Sequence, residues 1–172
     1  MATKKIDVKY YSNRAAQKRK GIKAFLNKIE KKKPRNLAST AKKMEAETWQ
    51  EINCLTCGNC CLTMTPTWKK AEVNRVAAHL GMTYQQFFDK WLMIDEENGD
   101  IVNQDTPCQF FHKKSGMCTI YEIRPSDCSG FPHLHFRRWL DYEVYTDNLH
   151  RCPATLVMME KMKMAFEEGV MK

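Results

Sequence analysis

Apolar residues recur at helical spacing along much of this chain, and the places where the rhythm breaks mark its elements. From about Asn13 to Lys33, Ile22, Phe25, Leu26 and Ile29 fall at i, i+3, i+4 and i+7 in a run otherwise rich in Lys. This predicts a basic amphipathic helix, stopped by Pro34. A second helix, about Leu37 to Ile52, carries Leu37, Ala41, Met44 and Thr48 on one side, then Trp49 and Ile52. Both stripes need a surface to cover them. Thr65-Pro66 reads as a cap with proline at the first helical position, so a helix is expected from there to Gly81, carrying Val73, Val76, Ala77 and Leu80. Thr83 and Gln86 form a capping box, with Met82 and Phe87 as a hydrophobic staple, for a helix from about Tyr84 to Leu92 burying Phe87, Phe88 and Trp91.

The pattern then changes. Asn98-Gly99 between Leu92-Met93-Ile94 and Ile101-Val102 is a hairpin signal, and a second hairpin is expected around Lys113 to Gly116, between Cys108-Gln-Phe-Phe and Cys118-Thr-Ile-Tyr. A final helix should start after Cys152-Pro153 and use Leu156, Met159, Met162, Ala165, Phe166 and Val170. The fold class predicted is α+β: a small, loop-rich, metal-stabilised domain with short hairpins and several helices, preceded by a basic helical extension. The division is residues 1–50 as the extension and 51–172 as a cysteine-cluster metal-binding domain with the C-terminal helix.

Charge supports the division. The 172 residues carry a net charge of +8, yet residues 1–50 hold 15 Lys and Arg against 4 Asp and Glu, while the remainder holds 13 against 16. The basicity therefore belongs to the extension. No run approaches the roughly 18 consecutive apolar residues of a membrane span. The start, MATKKIDVKYY, has no apolar segment of the secretory kind, so a cytoplasmic location is expected. In a reducing compartment, clustered thiols are used for metals or redox chemistry rather than disulfides. The eleven methionines, several at helical spacing in the last helix, read as core filler rather than copper ligands.

Eight cysteines are the candidate metal ligands: Cys54, Cys57, Cys60, Cys61, Cys108, Cys118, Cys128 and Cys152. Cys54-Leu-Thr-Cys57-Gly-Asn-Cys60-Cys61 packs four thiols into eight residues. Two-residue spacers let the backbone turn around an ion, and Gly58 permits the positive φ that such a turn often needs. Adjacent side chains usually diverge, so Cys61 is expected to serve another centre or the opposite side of the same one. The four later cysteines lie beside Pro107, Gly116, Pro125 and Pro153, at turns where a loop aims its sulfur and backbone N–H groups bond to it.

The motifs CLTCGNCC, PCQFF, GMCTIYEIRPSDCSGFP and a final CP, with Tyr121, Arg124-Pro125 and Phe131-Pro132 in order, resemble the CxxCxxCC family of zinc- or iron-chelating domains, the YkgJ-type cysteine-cluster proteins of bacteria. The resemblance covers about Ile52 to Pro153 and omits the basic extension. It implies metal chelation in a small mixed domain and leaves the biological role open. A similar cysteine domain is associated with flagellin lysine N-methylases, which keeps methyl transfer in view.

Zinc and iron–sulfur clusters both accept four cysteines, so eight thiols suit two centres. One partition follows the bacterial ferredoxin spacing, with Cys54, Cys57, Cys60 and Cys152 against Cys61, Cys108, Cys118 and Cys128; crossed and mixed arrangements stay open. His133, His135 and His150 are nearby nitrogen donors that serve hydrogen bonding as readily as ligation, and His79 and His112 are weaker candidates. Arg124 is placed to offset thiolate charge or to pair with Glu122 or Asp127. The chain has no GxGxxG loop, no Walker P-loop and no complete catalytic triad. Three functions compete: a metal-binding protein with a structural, redox or metal-handling role; an accessory component of a redox or methyl-transfer enzyme; and an RNA- or ribosome-associated zinc module. In the third, residues 1–35, with 13 Lys and Arg against 2 Asp and Glu, meet RNA or an acidic protein.

Overall fold

The computed structural model describes residues 5–134 and 142–172, in two compact units: residues 1–57 with 132–172, and residues 58–131. Helices and two small antiparallel sheets make it an α+β protein. No helix among the described residues is long and apolar enough to cross a membrane.

The first unit is helical. Asp7 caps α1 (Val8–Lys31) by accepting the N–H of Tyr10 at 2.9 Å, so the helix starts earlier than the apolar spacing alone indicates. Its stripe of Ala15, Ile22, Phe25, Leu26 and Ile29 is buried, as expected. α2 (Leu37–Glu51) buries Leu37, Thr40, Ala41, Met44 and Thr48, while Trp49 stays partly open to solvent. Cys54–Thr56 forms a short 3-10 turn. α7 (Tyr142–Asn148) follows, and α8 (Pro153–Glu167) opens with proline at its first position, as the Cys-Pro pair predicts. α8 packs on both α1 and α2. It therefore buries most of its first turns, Ala154 to Met159, and not just one stripe. Phe25 meets Phe166 at 5.6 Å between ring centroids. Arg14 grips Glu160 bidentately through Nε and Nη2, at 2.9 and 2.7 Å, and Lys161 pairs with Glu51 at 2.7 Å and Glu47 at 3.6 Å. Val170 lies beyond the helix end and is exposed.

The second unit is built from shorter pieces. A helix of one turn, α3 (Asn59–Thr63), leads to a three-stranded sheet in the order β1 (Thr67–Trp68), β3 (Ile101–Asn103), β2 (Leu92–Ile94). The β2–β3 hairpin is the one signalled by Asn98-Gly99, with Ile94 opposite Ile101. α4 (Lys70–His79) begins four residues later than Thr65-Pro66 suggests. Thr67 and Trp68 are drawn into β1 instead, because Trp68 pairs with Ile101, is buried, and donates its indole N–H to Asn103 at 2.9 Å. Leu80 is exposed. α5 (Tyr84–Trp91) has the expected capping box of Thr83 and Gln86. β4 (Phe111–His112) and β5 (Met117–Cys118) form the second predicted hairpin, and α6 (Ser126–Gly130) follows a 3-10 turn at Tyr121–Ile123. The core joins Trp68, Val73, Val76, Phe87, Leu92, Phe110 and Ile120, with Phe87 stacked on Phe110 at 5.9 Å.

Candidate metal centre

The eight thiols divide between the units. Cys54, Cys57 and Cys152 lie in the helical unit; Cys60, Cys61, Cys108, Cys118 and Cys128 lie in residues 58–131. None of the eight is in a disulfide. Cys54 is exposed, Cys152 is buried, and the other six are half-buried.

In the second unit, three separate stretches of chain bring sulfur together. Cys60 and Cys61 sit on α3, whose N-cap Gly58 takes φ of 65°. This glycine is required twice over, since an added Cβ would stand 2.7 Å from the Phe111 ring. Cys108 is tied to α3 directly, its N–H donating to the Cys61 carbonyl at 2.8 Å. Cys108 and Cys118 both pack against the aromatic core. Cys128 is carried by α6, which two carboxylates fasten to the β1–α4 turn. Glu72 accepts the N–H of Ser126 at 2.8 Å and of Lys69 at 2.9 Å, and Asp127 accepts the N–H of Thr67 at 3.0 Å. Burial alone would raise the Glu72 pKa; the N–H groups of Lys69 and Ser126 outweigh it and hold the carboxyl below its usual range.

Electrostatics show these five thiols to be neighbours. Cys60 and Cys61 both lie in the single turn of α3, and the interaction of their neighbouring thiols pulls Cys60 down to about 7 and pushes Cys61 up. Burial pushes Cys108 and Cys118 up and Cys128 up to about 12, and negative charge on Cys60 adds to all three. Cys60 therefore interacts with every other thiol of its unit. Opposing this, the N–H of Phe110 favours the Cys108 thiolate and that of Ile120 the Cys118 thiolate, each two residues ahead. Arg124 lowers Cys118 by its charge, and its guanidinium lies 3.7 Å from the Tyr121 ring centroid while donating to the Tyr121 carbonyl.

The helical unit repeats the pattern on a smaller scale. Cys152 is the N-cap of α8, where the N–H groups of Ala154 and Thr155 favour its thiolate, although burial holds it up at about 12 and Cys54 adds repulsion. His112 bonds to Ser115 at 2.9 Å, His79 and His150 are exposed, His133 takes a left-handed backbone with φ of 62°, and His135 lies outside the described residues.

The donor chemistry fits a thiophilic ion or an iron–sulfur cluster: sulfur donors, N–H groups aimed at them, and one cation. A buried orphan also fits. Nδ2 of Asn103, a residue only 2% exposed, closes no hydrogen bond among the described residues. Sequence reasoning missed Asn103; the available signal was an amide at an inward position of a strand whose alternate residue, Ile101, is also buried. Among the described residues no three His, Cys, Asp or Glu side chains stand in closed ligating geometry, so the thiols form a neighbourhood rather than a preformed cage.

Fold and thiols together define a small α+β cysteine-cluster protein. Residues 53–153 match the model of the CxxCxxCC family, described as "Putative zinc- or iron-chelating domain", and the chain belongs to that family. It is also 27% identical over 82 residues to an uncharacterized protein of Methanocaldococcus jannaschii. That stretch is 47% of this chain, and it spans 44% of the relative's length. No solved structure gives a significant match.

Proposed function

We propose that this chain is a metal-binding protein whose cysteines hold zinc or an iron–sulfur cluster, with Cys60, Cys61, Cys108, Cys118 and Cys128 as the principal donor set and Cys54, Cys57 and Cys152 as further donors. The observation that carries this reading is the mutual interaction of five thiols from three stretches of one unit, with backbone N–H groups directed at Cys108 and Cys118. Such donors stabilise bound thiolate and orient it. A bound ion or cluster would cross-link α3, the β4–β5 region and α6. A fully ligated set acts structurally, whereas sulfur within reach of solvent admits redox or metal-transfer chemistry. A cytoplasmic, reducing setting suits eight thiols.

The test is elemental analysis and absorption spectroscopy of full-length protein purified without oxygen, followed by zinc titration of the metal-free form at pH 7. Burial holds Cys128 and Cys152 near 12, so each enters as a thiol and must release a proton on ligation. Uptake should release about one proton per such ligand and weaken as pH falls. Protein that binds neither zinc nor iron with better than micromolar affinity overturns the reading.

A second reading, docking of α1 on RNA, rests on one feature of that helix. Its apolar face is covered by α8, and the opposite face carries Lys9, Lys20, Lys28 and Lys31, exposed and without ion pairs among the described residues. Like charges spaced three and four residues apart, Lys28–Lys31 and Arg19–Lys23, destabilise a helix slightly unless a polyanion offsets them. The 24 residues extend about 36 Å, long enough to track several phosphates of one strand. K20E/K28E/K31E should cut binding to duplex RNA at least tenfold and flatten its salt slope by about 2–3 units. Equal losses from K70E/K113E/K114E would reduce the effect to net charge and overturn this reading.

A further inference from the structure

The three-stranded sheet of residues 58–131 has two edges, and they are finished differently. At the β1 edge, α6 lies alongside and its Asp127 accepts the Thr67 N–H at 3.0 Å. β2 forms the other edge. The Gln104 N–H donates to the Trp91 carbonyl at 3.0 Å and the Asp95 N–H to the Asp100 carbonyl at 2.8 Å, with Met93 opposite Val102 between them. Antiparallel alternation therefore turns the N–H and C=O of Leu92 and Ile94 away from β3. At Leu92 both are used: the N–H donates to the Phe88 carbonyl, and the C=O accepts from the Gln104 side chain at 2.8 Å. At Ile94 neither closes a hydrogen bond among the described residues. The side chains are open as well, Met93 being 42% and Ile94 48% exposed. Edge strands are commonly guarded by Lys or Pro, and neither occurs between Trp91 and Gly99.

Charge decides what fits there. Residues 91–112 contain Asp95, Glu96, Glu97, Asp100 and Asp105 and no Lys or Arg, in a chain whose net charge is +8. Glu96, Glu97 and Asp100 are exposed at the turn that continues β2, and none of them is in an ion pair among the described residues. A second copy pairing on β2 would bring an identical acidic turn to the same edge, so like charges oppose it. A helix has already used its main-chain groups and cannot answer Ile94. We propose that the β2 edge is a docking surface for an extended, basic peptide segment of a partner protein. That segment adds a strand at Ile94, covers Met93 and Ile94, and sets Lys or Arg against Glu96, Glu97 and Asp100. The surface stands independently of the metal-binding reading.

The probe is a capped peptide, Lys-Val-Thr-Val-Lys-Arg, titrated into the isotope-labelled full-length chain. NMR shifts should concentrate at residues 92–100, the Ile94 amide should gain exchange protection, and affinity should fall as salt rises. E96K/E97K should weaken binding by about tenfold or more while leaving the thermal midpoint of the free chain in place. I94P removes the outward N–H but none of the donors to β3, a position where an edge strand tolerates proline, and should abolish both the shifts and the protection. If I94P fails to fold, E96K/E97K decides alone. Absence of shifts at residues 92–100 with millimolar peptide overturns the proposal. So does equal binding of a peptide of the same charge with proline in place of both valines, which reduces the contact to charge without strand pairing. Concentration-dependent self-association of the wild-type chain that is lost in I94P assigns the edge to a second copy and overturns it too.

Discussion

The two compact units are held by different means. Residues 1–57 with 132–172 rest on helices of 24, 15 and 15 residues, with aliphatic and Met side chains between them and ion pairs at the edges. Residues 58–131 use strands of two or three residues and helices of five to ten, around one aromatic nucleus. A long helix closes its backbone hydrogen bonds within itself, so apolar packing is enough to fix it. Strands this short cannot, and the backbone must be tied by capping carboxylates, turns and cross-links. The unit with the least regular structure is also the one with five of the eight thiols. Metal dependence should therefore be uneven along the chain.

The largest expected effect tests that unevenness. Removing metal with a strong chelator should collapse amide-exchange protection across residues 58–131, with a loss on the order of 10 kcal/mol of binding free energy, while α1, α2 and α8 keep theirs. Uniform loss of protection in both units would erase the comparison; no loss in either would show that no metal holds the fold.

A smaller effect comes from the other side. Phe25 is buried in the helical unit, so Phe25→Ala should cost about 3–5 kcal/mol there. Metal content should stay unchanged. Loss of bound metal in this variant, read by elemental analysis, would mean that the helical core supports the thiols of residues 58–131.

Smallest is the carboxylate clamp. Glu72→Ala leaves the Lys69 and Ser126 N–H groups without their acceptor, a cost of about 2 kcal/mol, and should loosen α6 with Cys128. The same bond has a pH signature. The folded-state pKa of Glu72 is depressed, so its contribution is complete above the unfolded value near 4.5 and disappears as pH falls through the folded one. Thermal midpoints of wild type and E72A should therefore converge in acid. A constant gap down to pH 2 would assign the effect to lost packing.

Local pattern revealed the two helices of the basic segment, the capping box at Thr83, both hairpins and the proline-started last helix, because each depends on neighbours within a few residues. The cysteine spacing likewise carries the family resemblance by itself. It failed at Thr67-Trp68, where Thr65-Pro66 carries a good helix-start signal. The competing signal, a strand partner at Ile101–Val102, lies more than 30 residues away. The covering of the α1 and α2 stripes by α8 and the bond from the Trp68 indole to Asn103 were beyond it for the same reason. Periodicity says that a face must be buried and a cysteine can ligate. Which surface covers the face, and which thiols become neighbours, depends on long-range packing that leaves no periodic trace in the chain.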